Sequence, residues 1–485
     1  SILRNRLGDV LEVAVTSPDR AEPWRAVFQR DVFGLEAGRR LPGGIETQWR
    51  RDVAGRPEAR NVTRNGIWQE SQAYHWEGDD RLTSIRDRAR GVRQFQHDAR
   101  NRLVSARFPD DVVQYLAPDL VGNVYRQPDR SGRQYGAGGV LKEAEGTRYV
   151  HDADGQLIEK CLPDGATWRY QWTGAGMLRE VERPDGTKIT FGYDALGRRI
   201  WKESAGLRTR WMWDGDVPIH EQTEGHVPVT WVFEPGSFTP LAKLEGEARY
   251  GVASDHLGIP LALYDESGEA GWKAELDIYG QVRAVEAGAT RCPWRFPGQY
   301  EDEETGLYYN RFRYYDPGVG RYISQDPIGL EGGLNPFAFL ADPFLESDVF
   351  GLATWVDPST LNYSQAYVTS EATAYESLMR RDVSQGGWNW NLRPDTHPEP
   401  SALRVANING QLVSLDNRRL FAAQNVGLKS VPIIIVDING IRPGTSITWG
   451  ESLRRRLNSI PDGFNVPIVQ LPEDGTKQKP TMCSR

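Results

Sequence analysis

Short runs in which apolar and polar residues alternate recur along most of this chain. Two clear ones are WRYQW at 168–172 and KITFGY at 188–193. Alternation with period two places one set of side chains on each face of an extended strand, so these runs predict half-buried β-strands. Between them recurs a six-residue unit with Asp in second place and Gly, or once Asn, in fifth. Its clearest copies are Tyr193-Asp194-Ala195-Leu196-Gly197-Arg198 and His151-Asp152-Ala153-Asp154-Gly155-Gln156. Others begin at Arg30, Arg51, His97 and Pro118, and a degenerate copy lies at Trp172-Thr173-Gly174-Ala175-Gly176. Asp31 to Asp52, Asp98 to Asp119, Asp152 to Thr173 and Thr173 to Asp194 are each 21 residues apart. A fixed period of this size marks a repeat architecture. Asp and Gly supply the turn, with Gly or Asn taking a positive φ. One such hairpin cannot bury a core, whereas stacked hairpins form a long curling antiparallel sheet.

The pattern changes after residue 352. The run 431–438 (VPIIIVDI) is continuous, apolar and β-branched, which predicts a buried strand. The segments 403–408 and 411–414 flank Asn409-Gly410 and predict a hairpin. Helices are expected at 369–381, 416–425 and 449–460, and loops at 386–391 and 393–400. This tail predicts a small α/β domain.

Composition adds few exclusions. The 485 residues can hold roughly three domains. The 16 Trp and 50 Gly fit many strands and turns. No apolar run nears the ~18 residues that span a bilayer, and no signal peptide opens the chain. The abrupt opening is read as that of a fragment. Cys161, Cys292 and Cys483 are far apart and odd in number, which predicts neither a metal site nor a disulfide framework and suits synthesis in a reducing compartment. The net charge is −8; from Ala353 onward 14 Lys/Arg and 12 Asp/Glu give +2, leaving −10 for the rest. A mildly basic tail on an acidic body is compatible with cargo that meets nucleic acid, and equally with ordinary surface scatter.

The repeat units resemble the tyrosine-aspartate repeats of Rhs proteins. Asp255-His256-Leu257-Gly258-Ile259-Pro260, Phe296-Pro297-Gly298-Gln299-Tyr300, Glu304-Thr305-Gly306-Leu307-Tyr308-Tyr309-Asn310 and Arg313-Tyr314-Tyr315-Asp316-Pro317 resemble the Rhs-associated core. The resemblance covers Ser1 to about Leu352. It implies a mainly β protein in which the repeat sheet winds into a hollow shell, with a small C-terminal α/β toxin held inside. The expected division is 1–250 for repeat shell, 251–352 for core with a self-cleavage motif, and 353–485 for toxin. The piece is short for a closed shell of that family.

The junction carries two copies of one pattern, Asp326-Pro327-Ile328-Gly329-Leu330 and Asp348-Val349-Phe350-Gly351-Leu352. Each opens a tight turn, and such turns are common without any chemistry. If the two turns meet, their carboxylates do not both ionise easily, so one keeps a proton and acts as acid while the other is base toward a water. The resemblance implies an aspartic-type self-cleavage at the Leu352–Ala353 bond that needs no cofactor, with Arg321 as the nearby charge that keeps Asp348 ionised. Val349 stands where the motif has Pro; Pro fixes φ and carries no chemistry, so cleavage is expected to survive, more slowly.

In the tail, Arg418 and Arg419 near a helix start make a phosphate site, and Asp416 beside them either caps the helix or helps hold a divalent metal. An N-cap with solvated arginines is an equal reading. The stretch 414–428 with the strand after it resembles the Arg-containing box of the ParB/sulfiredoxin-like fold, with Asp416-Asn417 where a Gly-acid pair is usual. That resemblance implies phosphate handling by Asp416, Asn417, Arg418 and Arg419, with Ser364 and Gln365 facing the turn. A lone His397 and a terminal Cys483 rank down His-rich metal nucleases, zinc deaminases and Cys-His hydrolases. The expectation is a nuclease acting on DNA with Mg2+ or another divalent ion. Alternatives are a nucleotide-hydrolysing or ADP-ribosylating toxin, or a non-enzymatic partner-binding tail. The Rhs resemblance also implies synthesis in a bacterial cytoplasm, export by a delivery domain or machinery outside this chain, entry into target cells, and a cognate immunity protein.

Overall fold

The structure, a computed structural model, describes residues 1–352 apart from the short stretches 7–8, 17–19, 32–34, 53–54, 78–80 and 330–334. Beyond 352 it describes only the backbone of seven strands. The alternating runs are strands, as expected: the two cited above are Thr167–Trp172 and Lys188–Tyr193. Consecutive strands pair antiparallel in simple meanders. Eleven of them, from Ile2–Arg4 to Val113–Tyr115, make one sheet. Sixteen more, from Arg133–Tyr135 to Val282–Gly288, make a second. The second sheet passes through residue 250 inside the strand Ala248–Ser254, so the boundary expected there falls within a strand. Cys161 and Cys292 are free thiols.

Alternation decides which face is covered. Trp24, Ala26 and Phe28 of Trp24–Arg30 are buried while Arg25, Val27 and Gln29 are exposed. The covered faces of the two sheets meet: Trp24, Phe28, Leu41 and Val62 of the first pack with Leu241, Ala253, Ala262 and Tyr264 of the second. Fully burying each such side chain stabilises by roughly 1.5–3 kcal/mol, so this contact, not hairpin propensity, holds the sheets. Surface ion pairs such as Arg20–Glu247 and Arg283–Asp110 line the seam and add little.

A third, four-stranded sheet is the key to the site. Its strands are Tyr300–Asp302, Leu307–Asn310, Arg313–Asp316 and Arg321–Tyr322, and every residue of the last three is buried. Leu307, Tyr309, Tyr314 and Ile323 pack on Leu157, Leu178, Ile189 and Phe191 of the second sheet. The repeat sheets therefore cover a core whose last three strands are buried on both faces. A buried charge network anchors it: Asp302 takes both Arg199 and Lys202 from the wall, with Lys202 Nζ at 3.1 Å.

In the tail, Leu403–Ile408 and Gln411–Ser414 form the expected hairpin, and Val431–Val436 is the expected strand, parallel to the first of them. The expected helices and loops of the tail lie outside the described residues, except that Thr369, expected to open a helix, ends the strand Tyr367–Thr369.

Candidate functional site: the double-aspartate junction

The site is built from the repeat turn. In that turn the Asp backbone and its Oδ1 close a ring on the residue four places on. At Asp194, the amides of Leu196 and Arg198 both donate to Oδ1 at 2.9 Å, and the Gly197 amide donates to the Asp194 carbonyl. The same set recurs at Asp98, where Asn101 takes the positive φ of 58° in place of Gly. In the degenerate copy the Thr173 hydroxyl stands in for the carboxylate. The second oxygen, Oδ2, has its own partner in several copies: Arg56, Arg102 and Arg198, each four residues on, donate Nε to it at 2.7–2.8 Å. Against the upward push of partial burial, the Arg198 hydrogen bonds hold Asp194 below the ordinary carboxylate range.

The junction turns keep the parts of the ring given below, and in sequence their fourth residue is Leu, as it is at the Asp31 turn. Asp326 Oδ1 accepts from the Ile328 amide, and its carbonyl accepts from Gly329 at 2.8 Å. Asp348 Oδ1 accepts from the Leu352 amide at 2.8 Å. A leucine offers Oδ2 nothing, so that oxygen is open to a partner from elsewhere in the fold.

That partner is Arg313. Its Nη2 lies 3.0 Å from Asp326 Oδ2 and 3.4 Å from Asp348 Oδ2, with the Arg313 and Asp326 side chains each 1% exposed. Its Nη1 donates to the Pro336 carbonyl and its Nε to the Gly351 carbonyl. The guanidinium lies 3.7 Å over the Tyr322 ring. Tyr322 in turn donates its hydroxyl to Asp348 Oδ2 at 2.8 Å. Burial, then the Asp348 charge, push that phenol well above its ordinary range, so it stays a donor. Asn310 donates to the Tyr322 oxygen at 2.7 Å and to the Asp348 carbonyl at 2.8 Å. Gly351 has φ +68°, and a Cβ there would come 2.7 Å from the Asn310 carbonyl.

The fold thus brings Asp326 and Asp348 together on a shared cation. Arg321, expected to supply that cation, lies elsewhere. Its Nη2 donates to the Gly139 carbonyl, and its guanidinium stacks on Phe337 and Tyr135. Burial pushes it down to about 10. Arg313, Tyr322 and Asn310 were not singled out from sequence, although Arg313 opens one of the core motifs. Leu352 is described and Ala353 is not; Ser364, Gln365, Asp416, Asn417, Arg418 and Arg419 lie outside the described residues.

A long antiparallel meander with Asp-turn repeats, wrapped on a buried core that ends in two paired aspartates, defines a YD-repeat shell. The chain belongs to the Teneurin YD-shell family, whose model matches residues 61–332. It is 31% identical over 373 residues to "Double-stranded DNA deaminase toxin A" of Burkholderia cenocepacia, covering 68% of this chain and 26% of that protein. It is 34% identical over 404 residues to "Toxin protein Tse5" of Pseudomonas aeruginosa, covering 67% and 30%. It is 29% identical to "Probable deoxyribonuclease RhsA" of Dickeya dadantii, covering 72% and 25%. The chain spans about a quarter to a third of the length of these relatives. Among solved structures, TcdB2-TccC3 matches with TM-score 0.51 and 16% identity over 72% of this chain and 21% of that one. The Photorhabdus luminescens Tc holotoxin pore matches with TM-score 0.50 at the same coverage. At that identity the likeness is one of fold.

Proposed function

We propose that this chain is a toxin carrier that cuts itself between Leu352 and Ala353 and thereby frees residues 353–485 as a toxin. One observation carries the reading: two aspartates 22 residues apart converge on Arg313, and the backbone four residues after the second is tied to the same groups. At Asp98 and Asp194 a local arginine serves one turn alone, whereas here one guanidinium from another strand serves two turns.

The reaction is hydrolysis. One carboxylate takes a proton from a water, whose oxygen adds to the Leu352 carbonyl. The other gives a proton to the departing Ala353 nitrogen as the C–N bond breaks, leaving a carboxyl at Leu352 and an amine at Ala353. Asp348 is placed for the base: Tyr322, Arg313 and the Leu352 amide all donate to it, and that amide belongs to the residue whose carbonyl is attacked. Asp326 is then the acid: it takes up a proton before it acts, which exchanges its resting ion pair with Arg313 for a hydrogen bond. Arg313 grips the Gly351 carbonyl, one peptide before the scissile one, so its work is to hold charge and position the chain.

For the cargo we infer a DNA-directed toxin with Asp416, Asn417, Arg418 and Arg419 at its site, Ser364 and Gln365 facing them, and Mg2+ or another divalent ion at Asp416. The support is the residue chemistry, together with relatives named for a DNA deaminase and a deoxyribonuclease. Export to target cells and a cognate immunity protein follow from the same reading.

Intact mass of the purified chain tests the carrier. Two fragments meeting at Leu352–Ala353 are expected, with one uncut chain for Asp326→Asn and for Asp348→Asn. An uncut parent overturns self-cleavage. Plasmid degradation by the freed tail, lost on changing Arg418 and Arg419, tests the cargo; turnover of labelled nucleotides without nicking would overturn the DNA reading.

A further inference from the structure

The chain around the scissile bond is held on one side to a degree that cleavage alone does not demand. The Phe350 carbonyl accepts from the Phe312 amide at 3.2 Å. The Phe350 ring sits edge-on to Phe238 of the wall, with centroids 5.4 Å apart. Val349 closes a pocket lined by Trp213, Phe233, Phe238 and Trp294. Gly298, at φ +85°, lets the Val349 backbone approach so closely that a Cβ there would run into the Val349 carbonyl. With the bonds from Asn310 to Asp348 and from Arg313 to Gly351, each of the residues 348–352 has a contact that lies N-terminal to the scissile bond.

We propose that this stretch is a product clamp: Phe238, Phe312 and Gly298 form subsites that keep the new Leu352 end seated after the cut. The inference rests on self-cleavage at Leu352–Ala353. Hydrolysis breaks none of these contacts, because all of them belong to the part of the chain that stays with the shell. The Leu352 amide stays on Asp348, and the new carboxylate arises one residue beyond the carbonyl that Arg313 holds. The site is then occupied by its own product, so the carrier acts once and is closed to other peptides. Phe238 and Phe312 are positioning residues, since neither touches the two aspartates.

The test uses the self-cut chain with both fragments present. Carboxypeptidase is added and removal of Leu352 is followed by intact mass, natively and in urea. Native trimming is expected to be far slower than in urea. Phe238→Ala and Phe350→Ala are each expected to speed native trimming about five- to tenfold, as loss of one ring pair predicts. The double variant is expected to be no faster than either single one, because the two rings act as one contact; a general loosening of the fold would add instead. Native trimming as fast as in urea, or single variants with no effect, overturns the clamp. An uncut parent is a failure of self-cleavage itself and is read from the mass before any protease is added.

Discussion

The Arg313 guanidinium and the Asp326 carboxylate form an ion pair of 3.0 Å in which both side chains are withdrawn from water. Such a pair is costly to break by halves, because the surviving charge is left buried. Arg313→Met is expected to abolish self-cleavage and to lower unfolding free energy by about 3–5 kcal/mol, measured by denaturant titration. Arg313→Lys is expected to restore little, since one ammonium cannot reach Asp326, Asp348 and the Gly351 carbonyl together. A lysine variant that cuts at the parent rate would mean that charge alone suffices.

Tyr322→Phe removes one donor from Asp348 and leaves the ring under Arg313 in place. The fold is expected to persist with a loss on the order of 1–3 kcal/mol, from the unsatisfied groups left behind. Processing, followed by gel after dilution from denaturant, is expected to slow markedly. An unchanged rate would remove the phenol from the mechanism.

Leu352→Arg recreates the repeat turn at the junction. By analogy with Arg198 on Asp194, the new guanidinium is expected to take Asp348 Oδ2 and compete with Arg313. Cleavage is expected to fall well below that of a Leu352→Met control, which keeps an apolar side chain before the scissile bond. Equal rates for the two would show that Oδ2 need not be free.

Glu346 lies two residues before Asp348, beside Asp342, which itself pairs with His97 at 2.7 Å. Partial burial first, and Asp342 second, push the Glu346 carboxyl up to about 7, from an ordinary value of about 4.5. The folded chain then holds a proton that the unfolded chain releases. The stability from this group is full below about pH 4.5 and is lost as pH rises toward 7. Glu346→Gln is expected to raise the melting temperature at pH 8 and to leave it nearly unchanged at pH 4, by calorimetry at the two pH values. An equal shift at both would exclude titration of Glu346 as the cause.

Much of the wall was legible because its interactions are local. An Asp carboxylate reaches amides two and four residues on, so the turn is written in six consecutive letters. The 21-residue spacing repeats it, and alternation states which face each strand buries. The hairpin at Leu403–Ile408 and Gln411–Ser414 was readable for the same reason. The meeting of Asp326 and Asp348 was legible only as a pair of similar turns, since nothing local says that they touch.

What tertiary structure decided is which arginine serves them. Arg313 and Arg321 both begin short, wholly buried strands of the core. Alternation is silent where every position is buried, so the chain offers no sign of which guanidinium faces the acids. Packing on the second sheet turns Arg321 to Gly139 and the Phe337 ring, and brings Arg313 under both carboxylates, 35 residues before Asp348 in the chain. Local hydrogen bonds specify turns because their partners are neighbours in sequence. A buried charge pairs with whatever the packed layers bring within about 3 Å, and that is settled only when the sheets close on the core.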